Sequence, residues 1–244
     1  MNQSFKERFG LNASILSMLG MVILIGMGEK MGERFLPIYI LAIGGSSYAV
    51  GALNAIDNFL SAIYSYIGGI LSDRFGYKNT LISVSILSII GFLIVIVFPS
   101  WQAVLIGSVF FISWTALSLP AILSLIATTL KENKQTMGVS MHSLVRRIPM
   151  AIGPLFGGFI INIYGIVIGA RIAFGVALIF ALIAIFFIHK FVFETGERSR
   201  VDLKAGFIRM SKPLRVLLVS DILIRFAEQI PYAFVVVYVV NNLG

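Results

Sequence analysis

The sequence predicts an all-α integral membrane protein with seven transmembrane helices, on the evidence of its composition and its long apolar runs. Hydrophobic residues make up 58% of the 244-residue chain and charged residues 12%, and the mean hydropathy is +0.96. A soluble domain carries about 25% charged residues. This chain therefore lacks the polar side chains to cover a water-facing surface, and lipid must surround most of it.

Seven stretches reach the roughly 20 apolar residues that a helix needs to cross a bilayer. The predicted spans cover 12–41, 46–72, 79–98, 101–130, 136–164, 167–192 and 213–242. Several are well above the minimum length, which favours tilted or kinked helices packed on one another.

The distribution of basic residues predicts the orientation in the membrane. The loops after spans one, three and five contain no Lys or Arg, whereas the N-terminal segment and the other loops contain most of these residues. By the positive-inside rule the N-terminus is cytoplasmic, and we expect a multi-pass protein of the cell (plasma) membrane. The net charge of +8 belongs to these loops, so nucleic-acid binding, which needs a basic face, is not expected.

Span seven repeats features of span one when the two are aligned without a gap. The alignment pairs Glu29 with Glu228, Phe35 with Phe234, Tyr39 with Tyr238 and Gly45 with Gly244. A repeat of this kind is a known transporter design, and chance similarity between two amphiphilic helices is the alternative.

The one long connection, 193–212, separates the first six spans from the seventh. Its apolar positions at helical spacing, flanked by Lys and Arg, favour an amphipathic helix on the inner leaflet, and a plain polar linker fits nearly as well. The expected domains are a half of six transmembrane helices at 1–192, a cytoplasmic amphipathic linker at 193–212, and the first helix of an incomplete C-terminal half at 213–244.

Residues 69–81, GILSDRFGYKNTL, bring charges and glycines into the short loop between spans two and three. Gly69 would let another helix approach closely, and Gly76 suits a turn with positive φ. Asp73 can face a helix N-terminus. Arg74 and Lys78 can bind lipid phosphates or a neighbouring carboxylate.

With Leu71, these positions resemble the G-x-L-a-D-r-x-G-r-k signature of the major facilitator superfamily. Tyr77 departs from the signature, because a basic residue is usual there. The resemblance implies a gating loop that latches two halves together and stabilises the outward-facing state. An ordinary positive-inside loop is the alternative.

A second pattern, AIGPLFGGFI at 151–160, resembles the G-P-x-x-G-G pattern of helix five in the same superfamily, most typically in its antiporters. The spacing of Gly153 and Gly157 permits close helix contact, and Pro154 interrupts the hydrogen-bond ladder. With Gly158, they form a predicted helix-five hinge motif.

The resemblance implies a major facilitator-type fold, in which each six-helix bundle is built from 3+3 inverted repeats. A complete member has twelve spans. We therefore expect this chain to be a fragment of a longer protein, or a half that assembles with the missing C-terminal half.

Ionisable residues inside the spans are the candidate functional groups. They are Glu29, Lys30, Glu33, Arg34, Asp57, His142, Arg146, Arg147, Arg171, Asp221, Arg225 and Glu228. A charge facing lipid at mid-depth costs about 2.5–3.5 kcal/mol, so together they would exceed a typical folding stability of about 5–15 kcal/mol. They must line a wet cavity or pair with each other.

The predicted substrate and proton-coupling residues are those nearest mid-membrane and the polar stripe of span two. They are Glu29, Glu33, Asn54, Asp57, Asn58, Arg146, Arg147 and Glu228. Structural ion pairs at helical neighbour spacing, such as Lys30 with Glu33, are the alternative. His142 is interpreted as a polar wall of the cavity, and Arg171 as a residue whose charge reaches the membrane surface.

These observations predict a secondary transporter that works by alternating access, with proton-coupled efflux of a small organic or amphiphilic solute. Its partners are the lipid bilayer, the solute and protons, and we expect no cofactor or metal. The sequence contains no cysteine, catalytic triad or phosphate loop, so an enzyme is not expected. Span four lacks the arginine that drug/proton antiporters of this superfamily carry. A uniporter or symporter is therefore an alternative. A truncated half that is inactive alone is another, because a complete member has twelve spans.

Overall fold

The structure, a computed structural model, describes residues 12–112 and 114–193, and isolated positions between 211 and 239. In the two continuous stretches the chain forms helices and turns with no β-strand. The helices are α1 Ala13–Glu33, α2 Leu36–Ala42, α3 Ser47–Phe75, α4 Tyr77–Val97, α5 Trp101–Phe111, α6 Trp114–Thr129 and α7 Glu132–Phe191. The predicted all-α fold is thus confirmed for these stretches, whereas the predicted linker and seventh span lie almost wholly outside them.

The helices follow the predicted spans, except that span one is divided between α1 and α2 and span four between α5 and α6. Helix α1 ends at Glu33 and α2 begins at Leu36, with Pro37 in its first turn. A proline has no N–H to continue the ladder of the preceding helix, and its fixed φ suits the first turn of a new one. Span one is therefore two helical segments, α1 and α2, rather than one.

Helix α7 contains both of the last two predicted spans of the first half. Its 60 residues are interrupted at Gly165, where φ is 76° and ψ is 168°. A Cβ on Gly169 would lie 2.7 Å from the Cα of Ile161, whereas eight residues of straight helix advance about 12 Å. The chain therefore reverses at Gly165, and α7 is a hairpin of an ascending arm, 132–164, and a descending arm, 166–191.

Membrane-spanning length and hydropathy are found in four segments of the described residues. These are Ala13–Glu33, Tyr77–Val97, 101–129 and the two-armed Glu132–Phe191. Helix α3 has 29 residues, long enough to span, and carries the Asn, Asp and Ser stripe predicted for span two. The described residues therefore form a multi-pass membrane protein.

Two apolar clusters fill the bundle. One, at the end of α1 that holds Ile15, joins α1, α4, α6 and the end of the descending arm. The other lies around the rings of Phe92, Phe111 and Phe174, whose centroids are 5.1–5.9 Å apart. Tilted aromatic packing at this separation is favourable, and it ties α4 and α5 to the descending arm.

Candidate functional site

Three ionisable residues form a cluster at the C-terminal end of α1. The Lys30 Nζ lies 2.5 Å from the Glu33 Oε2 and 3.4 Å from the Glu29 Oε1. Glu29 is the most enclosed of the three, since only 2% of it is exposed. The predicted pairing of Lys30 with Glu33 is therefore present, and the same ammonium also contacts Glu29.

A fourth charged residue reaches this cluster from another helix. Asp57 of α3 is half-buried, and the Ser61 Oγ donates a hydrogen bond to its Oδ1 at 3.3 Å. Asp57 is close enough to interact electrostatically with Glu29, Glu33 and Lys30. The structure therefore brings together three of the predicted acids around one lysine. We call Glu29, Lys30, Glu33 and Asp57 the ionic cluster.

Small residues on α7 hold the charged end of α1 in place. A Cβ on Gly153 would lie 2.8 Å from the Lys30 Cβ, and a Cβ on Gly157 would collide with the carbonyl oxygen of Met31. The ring of Pro149 packs on Gly26, one turn earlier on α1. Two glycines of the predicted hinge motif are thus points where α1 and the ascending arm of α7 approach closely, beside the ionic cluster.

The other half of the hinge motif makes looser contacts. A Cβ on Gly158 would lie 3.4 Å from the Phe35 ring, which is near ordinary van der Waals distance. Pro154 lies within the ascending arm, in a helical segment.

The remaining predicted coupling residues lie apart from the ionic cluster or are engaged along their own helix. The Asn58 Nδ2 donates to the carbonyl oxygen of Asn54 at 2.8 Å. Arg146 is half-buried and Arg147 is exposed, and the structure contains no ion pair between either arginine and a described carboxylate. Glu228 lies outside the described residues, as do Asp221 and Arg225.

His142 is buried on the ascending arm, with 4% of it exposed. It is close enough to Arg146 for the two side chains to interact electrostatically. The predicted role as a polar cavity wall remains a prediction, and the burial is in keeping with packing inside the bundle.

The gating loop adopts the turn that its glycine predicts. Gly76 has a φ of 83° and separates α3 from α4, and its N–H donates to the carbonyl oxygen of Ser72 at 3.0 Å. This φ favours glycine over every other residue. Asp73 is half-buried and Arg74 exposed, and the Arg74 guanidinium lies 5.9 Å from the centre of the Phe75 ring.

Two contacts of this loop differ from those expected. Among the described residues, close helix approach occurs at Gly68, where a Cβ would collide with the carbonyl oxygen of Leu117, whereas a Cβ on Gly69 would meet no described atom within 4 Å. The Lys78 Nζ donates to the carbonyl oxygen of His189 at 2.9 Å, a partner that the sequence did not suggest. The glycine with a packing role is thus one position earlier than expected, and Lys78 caps the end of the descending arm.

Sequence reasoning missed three side chains that bind helix ends. The Tyr77 hydroxyl donates to the carbonyl oxygen of Phe193 at 2.7 Å, and the Ser14 Oγ donates to that of Phe191 at 3.1 Å. Arg171, whose charge was expected to reach the membrane surface, donates from its Nε to the carbonyl oxygen of Ile96 at 3.0 Å. The last carbonyls of a helix have no partner within it, so Ser14 and Arg171 supply what α7 and α4 lack, and Tyr77 binds two residues beyond the end of α7.

The ionic cluster holds more acidic than basic groups. Its three carboxylates and one ammonium carry an excess of two negative charges when every group is ionised. An excess of this kind inside an apolar bundle is costly unless a nearby positive charge, a bound cation or a proton offsets it, and the half-buried Arg34 directly follows Glu33. Among the described residues, no group of three or more acidic or His side chains has the arrangement of a metal site.

Comparison with known proteins identifies the family to which the chain is similar. The sequence profile of the Major Facilitator Superfamily matches residues 6–244. Two uncharacterized MFS-type transporters, from two strains of Mycobacterium tuberculosis, are each 30% identical to the chain over 134 residues. The match covers 54% of this chain and 32% of each relative, so the chain spans about a third of the length of the relatives it matches.

Proposed function

Because this chain belongs to the major facilitator superfamily, a family of membrane transporters, we propose that it forms part of a secondary active transporter. The transporter works by alternating access and exports a small organic or amphiphilic solute in exchange for protons. It lies in the cell membrane with its N-terminus in the cytoplasm. The observation that carries the proposal is the excess of carboxylates in the ionic cluster.

Charge balance supports proton coupling. Lys30 neutralises one of the three acids and contacts Glu29 and Glu33, whereas Asp57, on α3, accepts a hydrogen bond from Ser61. A proton or a positively charged solute offsets one of the remaining negative charges, and each displaces the other. Competition for one site is the simplest physical basis for antiport.

The glycine contacts support a rigid link between this site and the hinge motif. Gly153, Pro154, Gly157 and Gly158 form the proposed hinge, and the first and third of these pack on α1 beside the ionic cluster. A bend at this point would move the carboxylates with it. The proposed gate is the loop of Gly69, Asp73, Arg74, Gly76 and Lys78.

Solute flux in proteoliposomes tests the proposal. The purified protein would be assayed against a panel of solutes with and without an imposed proton gradient, beside Glu29→Gln and Asp57→Asn. Glu132→Gln is the matched control, since Glu132 is an exposed acid at the start of α7. We expect both cluster variants to lose gradient-driven flux and the control to retain it. Normal flux in both cluster variants would refute the assignment of the site.

A uniporter or symporter of the same fold is a second candidate, favoured by span four. Helices α5 and α6 contain no ionisable side chain. Flux that is indifferent to the imposed proton gradient, yet lost in Asp57→Asn, would favour this candidate over the antiporter.

A chain that needs a separate second half is a third candidate, favoured by the coverage of the relatives. The matched stretch is 32% of their length, and a six-helix half has no facing half with which to close a cavity. The intact mass of the native protein distinguishes the cases. A mass of 26.7 kDa favours a half that assembles with a partner, and a mass nearly twice as large favours a continuous two-half chain.

A further inference from the structure

An apolar groove lies between α1 and the end of the descending arm, on the outer surface of the bundle. It has a volume of about 420 Å³, within the range of about 300–1,000 Å³ found for small-molecule sites. Its lining residues are Ala13, Leu16, Ser17, Gly20, Ile23, Leu24, Phe187 and Phe191. Ser17 is the one polar residue in this lining.

The groove is separate from the ionic cluster. Gly20 and Glu29 are nine residues apart, and at about 100° per residue they point to opposite sides of α1. Leu16 and Phe187 at the groove are both 40% exposed, while Glu29 is enclosed by the bundle. Among the described residues, the groove therefore opens to the outside of the bundle, on the side of α1 away from the ionic cluster.

A positive charge stands at the end of the groove. The Lys190 Nζ lies 5.5 Å from the centre of the Phe191 ring, which lines the groove, and 5.6 Å from that of Phe186. Lys190 is exposed and follows the groove residue Phe187 by about one helical turn. The ammonium is thus held over aromatic rings where the apolar groove ends.

The end of a helix normally repels an anion, because its free carbonyls carry partial negative charge. Here Ser14 and Lys78 donate hydrogen bonds to the carbonyl oxygens of Phe191 and His189 at the end of the descending arm, and Tyr77 donates to that of Phe193 just beyond it. These bonds reduce the repulsion, and Lys78 adds a second positive charge at the same end of the bundle.

We propose that this groove binds an anionic phospholipid of the bilayer, with one acyl chain along α1 and the phosphate at Lys190. The apolar lining fits a hydrocarbon chain, and the terminal ammonium fits a headgroup with net negative charge. Neutral and anionic lipids share the acyl chain, so Lys190 supplies the preference for the anionic one. The proposal depends on the membrane location of the chain and is independent of the transported solute.

Gly20 provides a direct test. A Cβ at this position would meet no described atom within 4 Å, so Gly20→Leu fills the groove without displacing its walls. Gly175→Leu is the matched control, because Gly175 also faces open space but lies twelve residues, or about 18 Å, before Phe187 on the same arm. Thermal unfolding of both variants would establish that they fold.

The measurement is native mass spectrometry of the purified protein with phosphatidylglycerol or phosphatidylcholine of identical acyl chains. We expect the unmodified protein and Gly175→Leu to retain phosphatidylglycerol preferentially, and Gly20→Leu to lose it. Lys190→Gln should weaken retention of phosphatidylglycerol by about fivefold and leave phosphatidylcholine unchanged.

Three results would each overturn the proposal. The first is equal retention of the two lipids by the unmodified protein, and the second is equal retention of phosphatidylglycerol by Gly20→Leu and Gly175→Leu. The third is absence of bound lipid in every sample, which would mean that the groove does not hold a phospholipid. Loss of solute transport with normal lipid retention would count against the proposed function alone.

Discussion

Gly157→Ala is expected to destabilise the protein because the added methyl group has no room. It would collide with the carbonyl oxygen of Met31 and lie 2.9 Å from the Phe35 ring. A backbone atom cannot move aside as a side chain can, so α1 and α7 must separate. Overpacking of this kind costs about 1–3 kcal/mol, from which the helix propensity of alanine over glycine recovers about 1 kcal/mol.

Gly158→Ala is the matched control for this prediction. It has the same gain in helix propensity, but its methyl group would lie 3.4 Å from the Phe35 ring, a contact that a small ring movement accommodates. With about 2 kcal/mol of overpacking at Gly157, the two variants differ by about 2 kcal/mol. At about 2–4 °C per kcal/mol, Gly157→Ala should unfold about 4–8 °C below Gly158→Ala.

Thermal unfolding of both variants in one detergent measures this difference, and gradient-driven flux in proteoliposomes measures its functional effect. We expect the larger loss of flux in Gly157→Ala, because its contact lies on α1 next to Lys30. Midpoints that shift equally and in the same direction would refute the reasoning, since they would mean that the helices do not meet at Gly157.

Four further substitutions, one of them a control, test contacts that hold helices together, each by thermal unfolding in the same detergent. Gly68→Ala should lower the midpoint temperature of unfolding, because its methyl group would collide with α6, and the control Gly69→Ala should not, because its methyl group would meet no described atom. A lower midpoint for Gly69→Ala than for Gly68→Ala would contradict the described packing. Arg171→Gln should cost about 1.5–3 kcal/mol through loss of charged hydrogen bonds to the end of α4, and an unchanged midpoint would exclude that cap. Tyr77→Phe should cost about 0.5–1.5 kcal/mol, because it removes one hydrogen bond to the carbonyl oxygen of Phe193, just beyond the descending arm, and no cost would show that water replaces it.

Positions of the membrane spans were predictable because their signal is local. A run of apolar residues marks a helix in lipid whatever its neighbours do. The interruption at Gly165 was predicted as the short loop between two spans, and the positive φ at Gly76 followed from the turn that the loop requires. The pairing of Lys30 with Glu33 also needed only the spacing of neighbours on one helix.

Contacts between helices were less predictable, because they depend on crossing angles and depth that the sequence does not encode locally. Gly68 and Gly69 are neighbours with the same composition around them, and the side from which α6 approaches decides which one packs. Tyr77 departs from the family signature at a basic position, so its hydrogen bond to Phe193 could not be inferred from the signature. Arg171 likewise binds a carbonyl that is 75 residues away in sequence.

The ionic cluster combines both kinds of information. Glu29, Lys30 and Glu33 were predicted as charged neighbours on one helix, whereas the approach of Asp57 from α3 is a property of the fold. Sequence reasoning singled out Asp57 because it lies on a polar stripe near mid-membrane. The sequence did not show that Arg146 and Arg147 make no ion pair with these acids. The two arginines of span five therefore do not balance the excess negative charge of the cluster through ion pairs.

Helix α1 is held by both arms of α7, and this constrains how the ionic cluster can move. On the ascending arm it contacts Gly153 and Gly157, and on the descending arm a Cβ on Gly28 would lie 2.7 Å from the backbone of Ala177. Sliding α1 along its axis would drive side chains into these close backbone contacts, because packed interfaces hold discrete positions rather than deform continuously. The proposed alternating access is therefore expected to move α1 and α7 together as one body. The change in exposure of Glu29 then comes from the helices that face it, α3 with Asp57 and the proposed second half.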